Sequence, residues 1–71
     1  MFEDKYRIIG AKIVYYRHLR MLNQQQLADM AGISRSRLSD IEHGKTTTTL
    51  ELLFLICDAL NISFIKLVDD T

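Results

Sequence analysis

Residues 24–43 read Gln24-Gln25-Gln26-Leu27-Ala28-Asp29-Met30-Ala31-Gly32-Ile33-Ser34-Arg35-Ser36-Arg37-Leu38-Ser39-Asp40-Ile41-Glu42-His43, and this stretch decides the fold. Asn23, just before it, can accept hydrogen bonds from the orphan amides of a first helical turn, so a short helix is predicted over 24–31. Gly32 stops that helix, because glycine takes the left-handed conformation without a Cβ penalty. Ser34 caps a second helix running to His43, with Gly44 as its terminator. Only Gly32, Ile33 and Ser34 join the two, and so short a link forces the second helix steeply across the first. Leu27, Ala31, Ile33, Leu38 and Ile41 are spaced to lock the pair together, and Ala28 is small enough for a close crossing.

Outward from this pair the chain continues as helices. A first helix is predicted from a cap at Asp4 to Arg20, with Ile9, Ile13 and Tyr16 at the i, i+4, i+7 spacing of one buried face. Thr46-Thr47-Thr48-Thr49 places four β-branched hydroxyl residues in a row, which favours an extended loop. Thr49 then caps a fourth helix over 50–60, buried through Leu50, Leu53, Ile56, Cys57 and Leu60, and Ser63 caps a last turn or two over 64–68. The chain shows no repeat, linker or strand signal. The expectation is an all-α fold: a compact bundle of five short helices, one domain over 1–71, with a helix-turn-helix at about 24–43.

Composition agrees with a small helical domain. The chain has 71 residues, 48% of them hydrophobic, with no proline and three glycines. A domain of this size buries only about 60% of its unfolded surface, so its core must be dense. The single cysteine, Cys57, excludes an intrachain disulfide and points to a reducing cytoplasm. The charged N-terminal segment predicts no secretory leader. The apolar stretch from Leu50 to Val68 is broken by Glu51, Asp58, Asn61, Ser63 and Lys66, which marks a core segment rather than a membrane span. Net charge is zero, yet residues 1–48 carry +3 and residues 49–71 carry −3. Such a dipolar chain can turn one face to phosphate while its other end repels it.

Gln24 to Ala28, Ala31 to Ser36 and Leu38 to Gly44 together resemble the lambda-repressor/Cro-like helix-turn-helix family, also called the xenobiotic response element family. The resemblance extends to Ile9-Gly10, Ile13, Tyr16-Arg17 and Leu22 on one side. On the other it takes in Thr49-Leu50-Glu51, Leu53, Ile56 and Ala59 to Ser63. It covers about residues 8–68. It implies a five-helix DNA-binding domain with its third helix in the major groove, commonly a dimer on a near-palindromic operator. It also implies that Arg17 and Glu42 form a partly buried ion pair joining the first and third helices. Two departures stand out. Met21 occupies a position where a glycine often ends the first helix, and threonines fill a loop where many members have basic residues and a proline.

Within such a motif the N-terminal half of the second helix faces base edges. The residues expected outward there are Ser34, Arg35, Ser36, Ser39 and Asp40. Arg35 can bond guanine O6 and N7 together, Asp40 can accept from cytosine N4, and the serines are permissive. Phosphate contacts are expected from Asn23 and Gln24 at a helix N-terminus, from Arg37, and from Lys45, Thr46 and Thr47 beyond Gly44. Leu52 and Leu55 are left over from the predicted core, Ile65 beside Phe64 is apolar where the resembled family often has a polar residue, and these four are expected to form a homodimer face. His18 and His43 lack companions at metal-ligand spacing, and no nucleophile with an orienting base is evident. The chain is therefore expected to be no enzyme, with no cofactor, metal, small-molecule ligand or membrane, and with double-stranded DNA as its partner. The reading is a cytoplasmic, nucleoid-associated regulator, bacterial or phage-encoded, most simply a repressor. The alternative is a protein-binding module, such as an antitoxin-like subunit.

Overall fold

A computed structural model describes residues 2–69 and folds them into five α-helices, with no strand among these residues. The helices are α1 (Phe2–Leu19), α2 (Gln24–Ala31), α3 (Arg35–Glu42), α4 (Leu50–Leu60) and α5 (Ile65–Val68). Most boundaries are set by local hydrogen bonds. The Asn23 side chain accepts from Gln26 N at 2.8 Å, and the Gln26 side chain accepts from Asn23 N at 2.8 Å, which closes a capping box at the start of α2. Gly32 ends α2 at φ 75°. Ser34 Oγ accepts from Arg37 N to open α3, and Thr49 Oγ1 accepts from Leu52 N to open α4, each at 3.1 Å.

Three local expectations are corrected. The first helix runs from Phe2 to Leu19, so Asp4 lies inside it rather than capping it. Ser63 makes no side-chain cap. Phe64 already has helical dihedrals, and Ser63 contributes its carbonyl, which accepts from Lys66 N at 3.0 Å. On α4, Leu50 is 57% exposed and Leu52 only 6%. At 3.6 residues per turn, Leu52 and Leu50 lie just beyond opposite edges of the stripe set by Leu53, Ile56, Cys57 and Leu60, and the fold covers the Leu52 edge and leaves the Leu50 edge open. Leu52 is thus a core residue and is withdrawn from the dimer face.

The core gathers all five helices. Ile13, Leu27, Leu38, Ile56, Leu60 and Leu67 are fully buried, with Ala28, Ala31, Ile41, Leu53 and Cys57 around them. α2 packs on α3 and α4, and α1 packs on α3 and α5. Ala28, the small residue expected at a close α2–α3 crossing, is fully buried. A close approach of backbone lies at Gly10, where α1 meets the C-terminal carbonyls of α3. A Cβ there would stand 2.4 Å from Ile41 O and 2.5 Å from Glu42 O. Burial, with Asp58 beside it, pushes the Cys57 thiol above its ordinary range. No helix of the described residues is long and apolar enough to cross a membrane.

Met21 takes the left-handed conformation at φ 58°. Arg20 secures the same corner. Its Nε donates to Leu60 O at 2.7 Å and its Nη2 to Asn61 O at 3.1 Å. A cation thus sits on the carbonyls that end α4, where the helix dipole favours positive charge.

Candidate nucleic-acid interface

The first half of α3 faces solvent. Ser34, Arg35, Ser36, Arg37 and Asp40 are exposed and Ser39 is half-buried, while Leu38 and Ile41 turn into the core. The far end of the helix is anchored. Arg17 Nε donates to Glu42 Oε2 at 2.7 Å and Nη2 donates to Oε1 at 3.2 Å, with side chains only 9% and 2% exposed. A third guanidinium bond reaches Leu22 O at 3.0 Å, so one arginine ties α1 to α3 and to the turn before α2. The two-pronged geometry suits guanidinium and carboxylate, and it satisfies both buried charges.

Gln24 extends this pair toward the exposed face. Its Nε2 donates to Glu42 Oε1 at 2.9 Å, and its Oε1 accepts from Arg35 Nε at 3.4 Å. A chain of contacts therefore runs from the buried pair to Arg35. The Gln24 side-chain amide, expected to meet phosphate, is occupied within the protein. The capping box takes up the amides of Asn23 and Gln26, leaving the backbone N–H groups of Gln24 and Gln25 as the groups available to an anion. A shallow cleft lined by Asn23, Gln24, Gln25 and Arg35 opens at this point.

Beyond α3, Gly44 takes φ 68°, and Lys45, Thr46 and Thr47 form an exposed loop. His43 Nδ1 lies 2.7 Å from Ser39 O, which folds the ring back on its own helix. Of the residues expected at a dimer face, Leu55 is 45% exposed and Ile65 is 60% exposed. Phe64 is half-buried against Phe54, with ring centroids 4.7 Å apart. The partly exposed Phe54 was missed by sequence reasoning, as were the Gln24–Glu42 bond and the Arg20 clamp.

The helix-turn-helix family model matches residues 13–67. The chain belongs to the helix-turn-helix family. Control protein C.SmaI of Serratia marcescens is 33% identical over 94% of this chain and 80% of its own length. Antitoxin PezA of Streptococcus pneumoniae is 35% identical over 89% of this chain, which spans only 40% of that protein. The restriction-modification controller protein C.AhdI of Aeromonas hydrophila superposes with a TM-score of 0.87 at 25% identity, covering 90% of this chain and 97% of that one. The lambda-repressor/Cro-like resemblance and the five-helix fold both stand. This helix-turn-helix chain is accordingly grouped with DNA-binding transcription regulators rather than with enzymes.

Proposed function

We propose that residues 1–71 act as one domain, a cytoplasmic homodimer that binds a near-palindromic operator and represses transcription by occupying it. The observation that carries this reading is the first half of α3: polar, exposed, and fixed from behind by the Arg17–Glu42 pair. Arg35 reads a guanine and Asp40 a cytosine, with Ser34, Ser36 and Ser39 permissive beside them. The α2 N-terminus at Asn23 and Gln24, through the backbone N–H groups of Gln24 and Gln25, holds phosphates together with Arg37, Lys45, Thr46 and Thr47.

The test begins with duplexes selected from a random pool by the wild-type protein. Arg35→Ala is expected to cost about 1–3 kcal/mol on the selected site and to relax preference at one base position. Equal losses on selected and random duplexes would reduce Arg35 to a phosphate contact.

The dimer face lies in the acidic C-terminal half, where Leu55 and Ile65 stay exposed beside Phe54 and Phe64. A two-fold axis there sets two recognition helices on one DNA face, with half-sites about 34 Å apart. Sedimentation equilibrium is expected to give a dimer for the wild type and a monomer for Leu55→Glu, Ile65→Glu. A wild type that stays monomeric on operator DNA, or a double variant that still dimerises, would refute this face. The similarity to an antitoxin favours a second reading, in which these helices chiefly engage another protein. Failure to select any duplex would favour it.

A further inference from the structure

The N-terminal turns of α1 have no part in the interface described so far, yet they bring charge to its edge. A Cβ added to Gly44 would meet Arg7 Cγ at 2.5 Å and Arg7 Cα at 2.8 Å. The stem of Arg7 therefore lies directly across the glycine that ends α3. Gly44 also takes φ 68°, so no residue with a side chain fits there without strain, and the apposition is built into the fold. The next residue is Lys45. Two cations from different parts of the chain thus flank one glycine.

The Arg7 side chain is 68% exposed, and its Nη2 donates to Asp4 Oδ1 one turn earlier. An exposed pair of this kind is weak, and its arginine exchanges readily to another anion. Duplex DNA carries one charge per roughly 1.7 Å of axis, so cations a side-chain length apart can meet neighbouring phosphates.

We propose that Arg7 is a DNA-phosphate contact that extends the Lys45 clamp onto α1, with Asp4 as its internal competitor. The proposal rests on the DNA reading of α3. Its test compares wild type, Arg7→Met, Arg7→Lys and Asp4→Asn on the duplex selected by the wild type, by fluorescence anisotropy across a salt series. Arg7→Met keeps the stem over Gly44, and thermal unfolding of the same samples separates lost binding from lost fold. The slope of log affinity against log salt is expected to shrink by about 0.9 for Arg7→Met and to persist for Arg7→Lys. Asp4→Asn is expected to bind about two- to fivefold tighter, the scale of an exposed pair. A wild-type slope in Arg7→Met would overturn the Arg7 contact while leaving the α3 reading intact. Unchanged or weaker binding by Asp4→Asn would overturn the competitor role. A wild type with no salt-dependent binding would overturn both the proposal and the reading beneath it.

Discussion

Glu42→Ala is expected to cost about 3–5 kcal/mol of folding free energy, the range for removing one member of a buried ion pair. The variant strands the Arg17 guanidinium in a site where its side chain is only 9% exposed, with Leu22 O as its remaining acceptor. It also removes the acceptor of Gln24 Nε2. For a domain whose total stability is on the order of 5–15 kcal/mol, this is a large fraction. Urea unfolding followed by circular dichroism measures it, with the midpoint falling and the slope unchanged. Replacing both partners, Arg17→Met with Glu42→Met, is expected to recover most of the loss, because no buried charge is then left alone. DNA selectivity is not expected to recover with it, since Glu42 holds Gln24 and Gln24 holds Arg35. A Glu42→Ala loss below about 1 kcal/mol, the ceiling for a surface pair, would show that the pair is effectively solvated.

Gly10→Ala is the second large effect, and its sign is informative. In an open helix, alanine is favoured over glycine by about 1 kcal/mol, so the substitution would stabilise α1 if there were room. There is none. The new Cβ would fall 2.4 Å from Ile41 O, 2.5 Å from Glu42 O and 2.8 Å from Glu42 C. All three atoms are backbone, so α1 must lift from α3 as a unit. The contacts along that seam, Arg17 with Glu42 and Arg7 with Gly44, move with it. Overpacking typically costs about 1–3 kcal/mol, and a rigid obstacle places this case at or above the upper end. With about 4–8 °C of melting temperature per kcal/mol in a domain of this size, a drop of roughly 10 °C or more is expected by differential scanning calorimetry. A rise in melting temperature would mean that the two helices do not approach at Gly10.

Both positions show where sequence reading succeeds and where it stops. The α2–turn–α3 unit was legible because its determinants are local: Asn23, Gly32, Ser34 and Gly44 each act within a few residues of where they stand. The same holds for the Thr49 cap. Gly10 carries no such local signal, since a glycine inside a helical pattern reads only as weakness until the partner helix is placed. Family resemblance, rather than spacing, identified Arg17 and Glu42, which lie 25 residues apart. Nothing local identifies the Arg20 clamp, whose acceptors are 40 and 41 residues away. On α4 the error was one of angle. Leu50 and Leu52 sit at opposite edges of one stripe, and periodicity alone does not say which edge the neighbouring helices cover. At Gln24 the sequence offers a phosphate an amide at a helix N-terminus, which is chemically suited to that role. Only the folded arrangement shows its side chain already bonded to Glu42.

Docking of DNA on the exposed half of α3 is tested most directly by amide chemical-shift mapping as the protein is titrated with a selected duplex carrying a single half-site. The largest shifts are expected over residues 23–26, 34–40 and 45–48, with the amides of α4 and α5 changing least. Shifts concentrated on α4 and α5, or spread evenly over the chain, would contradict it.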